Sequence, residues 1–295
     1  MVNADREVDV RWASLAALGL AVVSVLSCWA AWADIGELAY KDPEQSHVVL
    51  ALPVALWLAW LRRGRVKYLR PRPSMLGAAV LLLSGLASAA GFLLAIEVVW
   101  HGGAIGMLVG SVLTAFGPRY LRAFQPSILV LVFLMPVPGA IRQEIAMPLQ
   151  QATAHIAEAV FTVVGVPAER RGSTLSIDGI DVTVAEACNG MRMVSALALV
   201  AFAFVFSTPM TTRIRILILA LSPLVALLVN VARVIPTVLM YGYAEEGSAD
   251  LFHDLSGWLG LGLALLLFWM FMALLKWLEI PILPYAVRDT KAVAS

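Results

Sequence analysis

The chain of 295 residues predicts an all-α polytopic integral membrane protein. About eight transmembrane helices are expected, with a small extramembrane amphipathic helix and a β-hairpin ahead of the sixth. Three observations lead there. Hydrophobic residues make up 61% of the chain and charged residues only 14%, with a mean hydropathy of +0.86, a balance foreign to soluble globular domains. The apolar residues fall in runs near the roughly 20 residues that a spanning helix needs. Lys and Arg gather in short clusters between those runs, and a net charge of +1 leaves no basic excess for nucleic acid.

The runs lie near residues 12–33, 47–61, 75–99, 104–117, 124–137, 188–207, 216–240 and 255–278. The first follows the mixed-charge stretch MVNADREVDVRW with no small-residue cleavage site, which reads as an uncleaved span. The fourth and fifth are short for full crossings and suit tilted, kinked or re-entrant segments. Orientation comes from Lys and Arg. The stretch RRGRVKYLRPR, Arg62 to Arg72, is densely basic, whereas DIGELAYKDPEQSH before it is mostly acidic. The basic side is expected to be cytoplasmic. Arg119, Arg122, Arg213, Arg215, Lys276, Arg288 and Lys291 then fall on that side, and Glu245, Glu246 and Asp250 outside. Both termini are cytoplasmic in this scheme, and Cys188 faces outward even if spans four and five both fail to cross. One domain covers 1–295: N-terminal helices over 12–137, an external segment over 138–187, further helices over 188–278 and a cytoplasmic tail over 279–295.

Within the external segment, Ile141, Ile145, Leu149, Ile156, Val160 and Val163 alternate with Arg142, Glu144, Gln150, Gln151 and Glu158, the pattern of an interfacial amphipathic helix. TLSIDGIDVTV then alternates apolar and polar on both sides of Asp178-Gly179. Asp-Gly accepts the positive φ of a tight turn, so a hairpin is expected, with Leu175, Ile177, Ile180, Val182 and Val184 facing a membrane-side core. It delivers the chain to Cys188 at the mouth of the sixth span.

Three groups of polar residues interrupt the apolar runs: Cys188 with Asn189 and Arg192, Asn230 with Arg233, and His253 with Asp254. Asn230 and Arg233 are three apart and share a helix face. Each residue has a bland reading: Arg233 as a snorkelling side chain, Asp254 as a helix N-cap, His253 as an interfacial histidine, Cys188 as packing. Read together, Cys188, Arg233 and His253 stand at one outer level of three consecutive spans. A thiol at a helix start, beside a guanidinium and an imidazole, is set up to be a nucleophile. Cys188 would attack a carbonyl, His253 would move protons and Arg233 would hold an oxyanion or the thiolate.

The ordered set EACNGMR, NVARV and a His before a Gly-rich span, preceded by MPVPG…MPLQ and GVPAERRGSTLSIDGIDVTV, resembles the exosortase and archaeosortase family over roughly residues 136–262. The resemblance implies a membrane cysteine protease or transpeptidase with Cys188, Arg233 and His253 as catalytic residues, supported by Asn189, Arg192, Asn230 and Asp254. Many members carry Ser after the cysteine, where this chain has Asn189. Its implied partners are exported proteins ending in a Pro-Glu-Pro motif, one hydrophobic span and a basic tail. They would be cut at the periplasmic face of a bacterial inner membrane, amid membrane lipid. Arg142 and Arg192 are candidates to meet the Glu of that motif.

The rival reading is a non-catalytic transporter or assembly factor for surface polysaccharide export, with Arg233 and His253 on a substrate or proton path. Broken helices at GFLLAIEVVWHGG and VIPTVLMYGYAEEG are compatible with it. A serine protease is weaker, because Ser195, Ser222 and Ser256 lack a nucleophile-elbow setting. His47, His101, His155 and His253 have no ligand spacing, so neither a metal nor another cofactor is expected. Cys28, inside the first span, reads as inert.

Overall fold

The computed structural model describes residues 2–177, 180–183, 190–243 and 246–278. The chain forms two compact units, Met1–Ala146 and Met147–Ser295.

The first unit contains α1 (Val2–Ser27), α2 (Trp29–Lys41), α3 (Val48–Leu61), α4 (Met75–Leu93), α5 (Glu97–Phe116), the short α6 (Pro118–Ala123) and α7 (Gln125–Leu129), and the start of α8 (Gly139–Val164). Its central feature is the tight antiparallel pair α4 and α5. A Cβ at Gly77, Gly91, Gly103 or Gly110 would overlap the backbone of Thr114, Trp100, Ser88 or Leu81 respectively. Small residues recurring every three or four positions thus let the two backbones touch, which is how helices associate where lipid removes the hydrophobic drive. The expected third span, 75–99, is corrected here. α4 stops at Leu93 and residues 97–99 open α5 instead. Ala95 takes a φ of 55°, and the Ile96 and Ala95 amides donate to the carbonyls of Gly91 (2.8 Å) and Phe92 (3.3 Å). That is a Schellman ending, closed without the usual glycine. Glu97 then places its charge in the first turn of α5, where the helix dipole favours it.

The first expected span, 12–33, is likewise divided, because α1 ends at Ser27 and α2 starts at Trp29. Ser24 shares a buried 3.0 Å hydrogen bond with Ser111, and the Cys28 thiol lies 3.6 Å from Ser88 Oγ and 3.3 Å from Met107 Sδ. None of those neighbours is a base.

The two ends of this unit differ in charge. At one, Arg65 Nη1 donates to the Ala123 carbonyl (2.8 Å) and Tyr120 to that of Leu69 (3.2 Å), so the basic stretch 62–72 and the segment carrying Arg119 and Arg122 lie together. At the other end of α3, Arg142 is bonded to Asp42 and, at 3.0 Å, to Glu44. Beside it the Gln45 carboxamide bonds both the Val137 carbonyl (2.9 Å) and its amide (3.2 Å). Arg142 therefore already holds two carboxylates.

Four helices among the described residues are long and apolar enough to cross a membrane: Asp9–Ser27, Met75–Leu93, Glu97–Phe116 and Thr212–Tyr243. A fifth is added if Gln125–Leu134 and Gly139–Val164, bent by 93° at their junction, make one broken span. Val48–Leu61, Val194–Ser207 and Gly262–Trp277 are apolar helices of shorter length. Bulky apolar side chains point outward along these helices, among them Leu18, Val22, Leu82, Leu86, Leu259 and Trp269. That surface calls for lipid, and the molecule is a helical polytopic membrane protein.

The second unit holds the rest of α8, a three-stranded sheet, and α9 (Gly190–Ser207), α10 (Thr212–Tyr243) and α11 (Glu246–Trp277). Along α8 the bulky Ile145, Met147, Ile156 and Val163 are exposed while Ala154, Ala157 and Phe161 are buried. The face carrying Ala154, Ala157 and Phe161 thus packs on protein, and the one carrying Ile156 and Val163 is free to meet lipid. The sheet runs β1 (Ala168–Arg171), β2 (Thr174–Ile177), β3 (Ile180–Thr183), all antiparallel. Ile177 pairs with Ile180 and Leu175 with Val182; the expected turn residues Asp178 and Gly179 lie outside the described residues, as does Val184. Leu175, Ile177 and Val182 are buried, but Ile180 is exposed, a correction to the expected inward row. β1 was not expected, because AERR shows no alternation of apolar and polar. It pairs Arg171 with Thr174 across Gly172, whose φ is 67°. Glycine with positive φ opening a two-residue loop is a hairpin signal in itself.

Candidate functional site

The described part of the site is built on α10. This helix is unusually long, at 32 residues, and passes through two apolar clusters. Towards its start Ile214, Ile218, Ala226 and Val229 pack with Leu197, Ala201 and Val205 of α9 and Ala264, Phe268 and Leu275 of α11. Towards its end Val234 and Val238 pack with Ala154, Ala157 and Phe161 of α8 and with Leu175, Ile177 and Val182 of the sheet. Between Val229 and Val234 the helix turns two polar side chains inward. Asn230 is 1% exposed and Arg233 8% exposed. The sheet and α8 thus cap the helical bundle, and the polar pair sits at the seam.

The surroundings of the pair are made of specific bonds. Asn230 Nδ2 donates to Thr153 Oγ1 of α8 at 3.0 Å, and Thr153 is fully buried. The Arg233 carbonyl accepts from Thr237 Oγ1 at 2.7 Å. Pro236 lies inside the helix one turn beyond Arg233. Lacking an N–H, it releases the Ala232 carbonyl from its helical bond and loosens the backbone there. A guanidinium in an apolar helix is costly unless it is paired or faces a watery cavity.

The three expected catalytic positions belong to this second unit. Arg233 stands ten residues before the end of α10, about 15 Å along its axis. His253 stands seven residues after the start of α11, about 10 Å along that helix. α10 and α11 pack on each other through the first cluster, which holds Ala226 and Val229 of the one and Ala264 and Phe268 of the other. α11 begins at Glu246, ahead of the apolar run expected from residue 255, so Asp254 lies in its third turn and the expected N-cap role is corrected. The polar stretch EGSAD extends the helix beyond the apolar run, where hydropathy gives no sign of it. Cys188 and Asn189 lie outside the described residues, between β3 and α9, and Arg192 is the third residue of α9. The side chains of Arg192, His253 and Asp254 also lie outside what is described.

Thr153 was not among the expected site residues. A threonine beside alanines on a helix carries no sequence signal until its partner is known. Among the described residues no three His, Cys, Asp or Glu side chains gather as a metal site would require. The family model for the transmembrane exosortase matches residues 29–270. Comparisons with curated proteins and with solved structures find no match.

Proposed function

Because the chain belongs to the transmembrane exosortase family, we propose that it is a cysteine transpeptidase or protease that cuts the C-terminal sorting signal of exported proteins. Cys188 is the nucleophile, Arg233 the oxyanion or thiolate partner and His253 the general acid and base. The thiolate adds to the scissile carbonyl, and the oxyanion so formed is held by the guanidinium, whose planar fork of donors suits it. The C–N bond breaks as the imidazolium gives its proton to the leaving amine. The thioester then passes to a second nucleophile, which the now neutral imidazole deprotonates. The observation that carries this reading is the inward-facing Arg233 at the seam of two apolar clusters, in the unit that also contains positions 188 and 253.

In this reading the client enters sideways. Its hydrophobic span lies among the enzyme's helices and its basic tail stays in the cytoplasm, while its Pro-Glu-Pro motif reaches the outer interface. Both termini of the enzyme are then cytoplasmic and the site opens to the periplasm of a bacterial inner membrane. The test is co-expression with a client bearing such a tail, followed by mass spectrometry of the client's C-terminus. A new C-terminus that requires Cys188 supports the reading, and an uncut client contradicts it. Reporter fusions after Arg70 and Arg215 should read cytoplasmic, and one at the Asp178-Gly179 turn should read external.

A further inference from the structure

Among the described residues, Asn230 is held at one end only. Its Nδ2 donates to Thr153 Oγ1, whereas Oδ1, buried from solvent, meets no donor among the described residues. Turning the carboxamide over would exchange the two atoms and still leave one end open. A carbonyl oxygen in this position has lost its water and gained nothing in return, and such orphans are rare in folded proteins. An aliphatic side chain would pack between the two apolar clusters at no such cost. The open acceptor can take a hydrogen bond that no described residue gives it.

We infer that Asn230 Oδ1 accepts a hydrogen bond from a backbone N–H of the client peptide, and that Thr153 is the positioning residue that aims it. The inference rests on the proposed cleavage of a peptide at this site and adds residues that bind the chain rather than react with it. Asn230 and Arg233 lie one turn apart on one face of α10, about 4.5 Å along the axis. That separation is comparable to one residue of an extended peptide, about 3.3 Å. A carbonyl held by Arg233 thus brings a neighbouring peptide N–H within reach of Asn230. Thr153 comes from α8, a different element. Its bond to Nδ2 fixes the plane of the carboxamide, so that the acceptor is in place before the peptide arrives and little ordering is needed on binding.

The test uses a synthetic peptide with the Pro-Glu-Pro motif, an apolar span and a basic tail, and the full-length protein in nanodiscs. Its affinity is measured on the Cys188→Ala protein, and KM and kcat on the protein with the cysteine intact. Asn230→Ala should raise the dissociation constant and KM about tenfold while kcat changes little, as expected for loss of one ground-state hydrogen bond. Thr153→Val, equal in shape but without the hydroxyl, should act in the same direction, and Thr153→Ser should restore wild-type affinity. A series of peptides N-methylated one bond at a time supplies the readout that mere packing would not move. One N-methyl group near the motif should weaken binding to the protein with Asn230 intact and leave binding to Asn230→Ala unchanged. Equal affinity of Asn230→Ala and wild type, or an N-methyl profile identical in both, overturns the inference. A peptide that binds but is not cut removes the proposed reaction and leaves the binding arms decisive. A peptide that does not bind the wild type contradicts both.

Discussion

His101 Nε2 lies 2.9 Å from Asp34 Oδ2 and ties α5 to α2, with the imidazole buried and the carboxylate partly open. The ring also stacks on Trp100, with centroids 4.8 Å apart. An imidazole enclosed in this way needs its acceptor, and Asp34 is the one it has. His101→Leu should lower stability by about 1–2 kcal/mol through the lost bond, read as earlier thermal unfolding in detergent. Asp34→Asn should cost less, because an amide oxygen still accepts. Client processing per folded molecule should be unaffected by either.

The α4 and α5 contact predicts a sharp difference between adjacent glycines. A Cβ at Gly103 would run into the backbone of Ser84 and Ser88, whereas one at Gly102 would meet only the Met135 sulfur at 3.6 Å, an ordinary contact. Gly103→Val should destabilise by roughly 3 kcal/mol or more as the helices are pushed apart. Gly102→Ala should be near neutral. Thermal unfolding of the two variants side by side checks this.

The turn between these helices offers a gain in stability. Ala95 holds a φ of 55°, where a Cβ is disfavoured and glycine is at ease. Ala95→Gly should stabilise by about 0.5–1 kcal/mol, the relief at the turn being offset in part by the greater freedom of glycine in the unfolded chain. A fall in melting temperature would mean that the methyl group contributes packing that outweighs the strain.

How much of this was legible in the sequence depended on which force set each element. Apolar runs become helices in lipid because backbone groups there have no other partner, so their approximate places could be read at once. The break at Leu94–Ile96 was legible only as a broken helix somewhere in GFLLAIEVVWHGG, since Glu97 is the one charge in that stretch and no glycine marks the turn at Ala95. β2 and β3 announced themselves by alternation, whereas β1, with three charged residues in four, did not. Asn230 and Arg233 stood out because a polar residue in an apolar helix has few excuses. Thr153 is neutral and small, and its role appears only when α8 is laid against α10.

Acid should loosen the segment around His47. Burial holds the His47 imidazole below its ordinary pKa, with the bond that Nδ1 donates to the Glu44 carbonyl acting in the opposite direction. A depressed folded-state pKa means that the unfolded chain binds the proton more readily. Its contribution to stability is full above the ordinary histidine range and is lost as pH falls through the folded value. Asp42, Glu44 and Arg142 stand in the same end of this unit. His47→Gln should flatten the decline in melting temperature between neutral and mildly acidic pH. An unchanged slope would assign the acid sensitivity to the carboxylates instead.

The central claim is that one thiol, Cys188, carries out the chemistry, with Arg233 and His253 as its partners. Mass spectrometry of the C-terminus of a co-expressed client with a Pro-Glu-Pro tail tests it directly, across a set of single substitutions. The account predicts a new, shortened C-terminus with the wild type and with Cys28→Ala, whose thiol lies by Ser88 and Met107. It predicts an intact tail with Cys188→Ala, Arg233→Lys and His253→Ala, each present in the membrane at wild-type levels. A client cut at the same bond by the Cys188→Ala protein would contradict it.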